Sequence, residues 1–152
     1  MKVFKGISDF EEAVGSHLGY SPWHTVTQEQ IDQFAHATGD HQWIHVDPQR
    51  AQAGPFGTTI AHGYLTLALI PKLIWQVYTV EGLAMGINYG CNKVRFPATV
   101  PVGSALRAGV RLLELTPGSH GTTATTRVTI ELQGGEKPAC VADTVSLLVA
   151  AS

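Results

Sequence analysis

The segment Gly39-Asp40-His41-Gln42-Trp43-Ile44-His45-Val46-Asp47-Pro48 sets a carboxylate and an imidazole five residues apart in a short polar link. A carboxylate and a neutral imidazole that converge on one water can orient it, take its proton and return a proton to the product. That is the acid–base pairing needed to add water to a polarised double bond, and it requires no covalent nucleophile. Both residues also have plainer uses: Asp40 suits an N-cap after the Gly39 break, and His45 taken alone suits a packed, hydrogen-bonded histidine. A second constellation is Ile60-Ala61-His62-Gly63-Tyr64, at the entry to a long apolar stretch. The first N–H groups of a helix beginning there have no intrahelical partner and carry positive partial charge. Glycine at 63 would let a carbonyl oxygen approach the amide closely, as the enolate-like transition state of a thioester requires. Tight packing of the helix is the competing reason for that glycine.

Other chemistries are poorly supplied. There are seven histidines, and His41 and His45 would share a face if the link were helical. His-Glu-x-x-His is absent, no cysteine cluster lies beside them, and Asp40 and Asp47 have competing capping uses, so no metal site is expected. Gly-x-Ser-x-Gly, phosphate loops and dinucleotide fingerprints are missing as well, and no cofactor is expected. Lys93, Arg95, Arg107, Arg111 and Arg127 lie on strand-like segments, mostly as solvated faces, with some placed to meet the phosphates of a large anionic substrate. Trp23 and Trp43 either line an acyl pocket or belong to the core.

The elements that must position these groups follow from capping and periodicity. Thr27 can cap Gln30, whose side chain can reach back, while Val26 and Ile31 form a hydrophobic staple. The helix runs to about Ala37 with Ile31, Phe34 and Ala35 as its apolar face, and Thr38-Gly39 ends it with a left-handed residue. Asp47-Pro48 opens a short helix over 49–53, which Gly54-Pro55-Phe56-Gly57 breaks. From about Ala61 to Val80 apolar residues cover most of a helical circumference, the pattern of a central helix enclosed on several sides, with a kink or break at Pro71. Period-two alternation follows over 123–132 and, less regularly, over 87–96, 105–115 and 139–150. Gly134-Gly135 signals a hairpin. The expected fold is α+β: a curved antiparallel sheet wrapped around one long helix, with strand edges available for pairing between subunits.

The chain has 152 residues, of which 44% are hydrophobic and 14% charged, enough apolar material for one core without disulfides or metals. Charged residues usually make up about a quarter of a globular chain, so the low value points to apolar surface reserved for an oligomer interface. A net charge of −2 gives no electrostatic reason to expect nucleic acid or an acidic membrane surface as the partner. Cys91 and Cys140 are expected to be buried free thiols. The first twelve residues lack the apolar region of a secretory signal, and the stretch from Ile60 to Val80 contains His62, Pro71, Lys72 and Gln76, so a cytoplasmic protein without a membrane span is expected.

Taken in order, Gly39 to Asp47, then Ala61-His62-Gly63-Tyr64, then Asn92-Lys93-Val94-Arg95-Phe96-Pro97 resemble the MaoC-like dehydratases, (R)-specific enoyl-CoA hydratases built as a single hot-dog domain. The likeness runs from Gly15 to the end of the chain and treats 1–152 as one domain. It implies that Asp40 and His45 are the catalytic pair, adding water to a trans-2-enoyl thioester to give an (R)-3-hydroxyacyl thioester, and that the Gly63 amide holds the thioester oxygen. Trp43, His62, Tyr64, Asn92 and Arg95 are the substrate contacts it suggests. The implied partners are an acyl-CoA or acyl-carrier-protein thioester and a second copy of the chain, with substrate entering a tunnel between subunits. The sequence departs from the family at Gln42-Trp43, where Asn-Pro is frequent, and at Pro71, where some members carry serine. A hot-dog thioesterase and a non-catalytic acyl-thioester-binding partner subunit are the alternative readings.

Overall fold

The computed structural model describes residues 1–151. In chain order the elements are β1 (Lys2–Phe4), α1 (Ile7–Glu11), β2 (His17–Tyr20), β3 (His24–Thr25), α2 (Gln28–Thr38), α3 (Trp43–Val46), α4 (Pro48–Gln52), α5 (Gly63–Ala68), α6 (Ile70–Ile74), β4 (Tyr78–Val80), β5 (Leu83–Arg95), β6 (Ala105–Gly118), β7 (Gly121–Leu132) and β8 (Cys140–Ala150). The main sheet is antiparallel with strand order β2-β6-β7-β8-β5, and β3 adds to β6. β1 and β4 form a small parallel pair. This is the α+β hot-dog arrangement, a curved sheet around helices.

Side-chain alternation explains which face is inside. On β6, Leu106, Ala108, Val110 and Leu112 are buried, and on β7 so are Ala124, Thr126, Val128 and Ile130. These pack with Leu65, Leu69, Ile70, Leu73 and Val77 in one core. The β7–β8 hairpin turns through Gly134, which holds φ 75°.

Three expectations are corrected. The central helix is shorter than 61–80 and is divided into α5 and α6, with Leu69 closing one and opening the other. Pro71 sits in the first turn of α6, where its missing N–H is tolerated; in one unbroken helix it would have left the Leu67 carbonyl without its donor. The helix begins only at Gly63; the chain before it is held extended, with Ile60 bridged to Pro101 and the Ala61 N–H donating to the Val100 carbonyl at 2.8 Å. It ends before Tyr78–Val80, which pair with β1 as a strand. The polar link before Asp47 contains a helical turn, α3, where a loop was expected. Cys140 is buried but Cys91 is exposed, because β5 lies at the sheet edge. No helix among the described residues is long and apolar enough to cross a membrane.

Candidate active site

The site begins at the caps of α2. The Thr27 hydroxyl accepts the Gln30 N–H at 3.2 Å, whereas the Gln30 side chain meets His24 Nε2 at 3.0 Å instead of reaching back. At the far end Gly39 takes φ 78° and donates its N–H to Ala35. Asp40 leaves this turn with its Oδ1 accepting the Gln42 N–H at 3.3 Å and its side chain 51% exposed. The carboxylate therefore orders the link while staying open to solvent. Asp47 caps α4 by accepting the Arg50 N–H at 3.0 Å.

His45 rides on α3 and is 7% exposed. Its Nδ1 lies 2.7 Å from the Ile60 carbonyl. A carbonyl can only accept, so Nδ1 carries the proton and the neutral ring keeps its lone pair at Nε2. The α3 backbone is pinned from two sides. Gln28 donates to the His45 carbonyl at 2.8 Å while accepting the Thr59 hydroxyl at 2.5 Å, and the Ile60 N–H donates to the Ile44 carbonyl at 3.0 Å. Burial is the main reason that the His45 pKa is lowered; His62 adds to the lowering, and the Ile60 carbonyl and Asp40 oppose it. His45 is thus a neutral base at neutral pH.

His45 opens onto a cavity of about 260 Å³ that Gly63, Thr66, Phe96, Val100 and Ala139 also line. A carboxylate oxygen of Asp40 and a ring nitrogen of His45 lie within 4.8 Å of each other, a gap that one water can bridge. Gly63 is the first residue of α5, so its N–H has no intrahelical acceptor. It also packs tightly: a Cβ there would stand 3.2 to 3.3 Å from the Phe96 ring. Both readings of that glycine therefore hold together, since the close approach of Phe96 shapes the cavity that the amide borders.

Asp40, His45 and His62 offer three ligand atoms close enough for a metal. The two imidazoles, however, are stacked, with centroids 3.9 Å apart and planes at 24°. Ring lone pairs lie in the ring planes, and an ion about 2.0–2.1 Å from both nitrogens cannot lie in two near-parallel planes so separated. The trio is unsuited to a metal without rearrangement.

The other suggested contacts fall elsewhere. His62, expected as a substrate contact, is 2% exposed, stacks on His45 and does not line this cavity. Trp43 packs against Gly54 and under Arg50, whose guanidinium is 4.4 Å from the ring centroid. Tyr64 is exposed beside the mouth, edge-on to Phe96 at 6.2 Å. Asn92 and Arg95 are exposed on β5 and line no part of the His45 cavity. Sequence reasoning missed Thr66, Phe96 and the Ile60 carbonyl. Helical spacing from Gly63 signals Thr66, and Phe96 stands in a quoted motif, but a backbone acceptor leaves no trace in residue type.

Comparisons with known proteins place these features in context. Residues 9–133 match the family described as MaoC like domain. The chain is 56% identical over 151 residues to 3-hydroxyacyl-thioester dehydratase Z of Mycobacterium tuberculosis, covering 99% of this chain and 100% of that protein. It is 40% identical over 145 residues to nodulation protein N of Rhizobium leguminosarum bv. viciae, covering 93% and 90%. Among solved structures it resembles the (R)-hydratase of A. caviae involved in PHA biosynthesis, with a TM-score of 0.73, 27% identity and coverage of 89% of this chain and 96% of that one.

Proposed function

This chain belongs to the MaoC-like dehydratase family, and from that premise we propose that it is a hydro-lyase acting on acyl thioesters, an (R)-specific enoyl-thioester hydratase working in either direction. The observation that carries the reading is that His45 neighbours both other groups, although Asp40 itself does not line the cavity. The Asp40 carboxylate lies within one water's span of His45, and the His45 ring and Gly63 share a cavity wall.

Hydration then proceeds as follows. Asp40 accepts one proton of the water in a hydrogen bond and fixes its orientation. His45 Nε2 takes the other proton as the water oxygen bonds to C3 of the trans-2-enoyl thioester. Charge moves to the thioester oxygen, where the Gly63 N–H stabilises the enolate. The imidazolium returns its proton to C2, which restores the base and completes the addition of one water. Dehydration is the reverse path. The thioester substrate class is supported by the 56% identical relative's name, and the (R) sense by likeness to the A. caviae hydratase. Either CoA or an acyl-carrier protein would present the thioester.

A chain-length series of trans-2-enoyl-CoAs, with chiral analysis of the product, tests this directly. Loss of enoyl absorbance with an (R)-3-hydroxyacyl product is expected. Release of free CoA thiol would assign a thioesterase instead, and binding without either change would assign a non-catalytic partner subunit.

A further inference from the structure

We propose that His62 is a positioning residue: its Nε2–H holds the Asp40 turn, and its ring, stacked on His45, adds to the burial that keeps that imidazole neutral, without touching substrate. This rests on reading Asp40 and His45 as the acid–base pair. Three observations converge on it. First, His62 Nε2 lies 2.9 Å from the Asp40 backbone carbonyl, so it donates there and ties the start of α5 to the link that carries the carboxylate. Second, His62 Nδ1 is buried with no hydrogen-bond partner. A leucine or phenylalanine in the same slot would fill the core without that desolvated nitrogen, so hydrophobic packing alone does not account for a histidine. Third, the ring is held between Phe34, at a centroid distance of 4.9 Å, and His45, at 3.9 Å.

The stack has an electrostatic consequence. Two imidazolium rings face to face repel strongly, so one proton on the pair opposes a second. His62 Nε2 also lies 4.0 Å from Asp40 Oδ2, so the carboxylate sits beside both rings. The charged groups that bear on the His45 ring are His62, which disfavours its protonation, and Asp40, which favours it; the Gln28 side chain against α3 is neutral. His62 thus adds to burial, the larger cause, in offsetting the Asp40 carboxylate.

His62→Gln and His62→Phe separate the two roles. Glutamine keeps a donor for the Asp40 carbonyl but removes the second titratable ring. The loss of kcat/KM at low pH, which marks protonation of His45, should then begin at higher pH, while the plateau stays within about threefold of wild type. Phenylalanine keeps the stacked ring but loses the donor, and should combine the same shift with a plateau at least about tenfold lower. A His62→Gln profile that superposes on wild type, in a protein whose wild-type low-pH limb is present, overturns the proposal. If His45→Gln itself retains activity, the acid–base reading fails instead. Should neither His62 variant fold, imidazole NMR of the wild-type protein reads the same coupling. A two-step His45 titration supports it, and one simple transition overturns it.

Discussion

His45 is made a base by its surroundings. Its Nδ1 proton is committed to the Ile60 carbonyl at 2.7 Å, its ring is buried, and the residue lines a cavity shared with Gly63. Asp40→Asn and His45→Gln keep volume and hydrogen-bonding capacity, so each should leave the fold intact. Each is expected to lower hydration of a crotonyl thioester by ~10²–10⁴, the range for positioned acid–base groups; activity within about twofold of wild type in either variant would remove that residue from its role. The lowered His45 pKa also has a stability signature. Between that lowered value and the ordinary one near 6.5, the unfolded chain binds more protons than the folded one, so stability rises with pH through this window and is lost as pH falls through it. Urea midpoints measured against pH should show a shallower acid-side slope in His45→Gln than in wild type.

Two kinds of element shape the molecule at the next scale. The first is the capped helix, α2, whose left-handed exit at Gly39 was legible in the sequence because Thr27 and Gly39 announce both ends. The second is the tightly approached hairpin. Gly121 opens β7 with φ 142°, and a Cβ there would lie 2.5 Å from the Leu148 carbonyl oxygen on β8. A side chain at that position meets both backbone strain and a backbone clash. Gly121→Ala should therefore cost roughly 2–4 kcal/mol, read as a lowered urea midpoint at unchanged slope, whereas a loss below about 0.5 kcal/mol would show that the hairpin yields easily. The division between α5 and α6 belongs to the same scale. Pro71 announced a break, but its position one residue into α6 depends on how the apolar face of Leu65, Leu69 and Leu73 meets the sheet.

At the scale of the whole molecule, β5 ends the sheet with one edge unpaired among the described residues. It is thirteen residues long and exposes Met85, Ile87 and Tyr89, with Tyr64, Trp75 and Phe96 also exposed. A long apolar edge of this kind is normally covered, and a second copy can cover it by two-fold pairing of the same strand. A homodimer through β5 is our expectation. Light scattering should give twice the chain mass, and Ile87→Lys should shift the protein toward monomer. A wild-type monomer at micromolar concentration would contradict the assembly.

The sequence by itself determined the acid–base pair as candidates, the capped helix before them, the break near Pro71 and the alternating strands. These are local matters of spacing, capping and periodicity, written in consecutive residues. Tertiary structure alone decided that His62 is buried and stacked on His45, that Cys91 is exposed, and that Ile60 fixes the His45 tautomer. Each depends on which distant segments meet: Asp40 and His62 are brought together across the turn of α3 and the loop before α5, and Ile60 contributes only a backbone oxygen. Burial and backbone partners arise from the packing of the whole chain, and no run of neighbouring residue types encodes them.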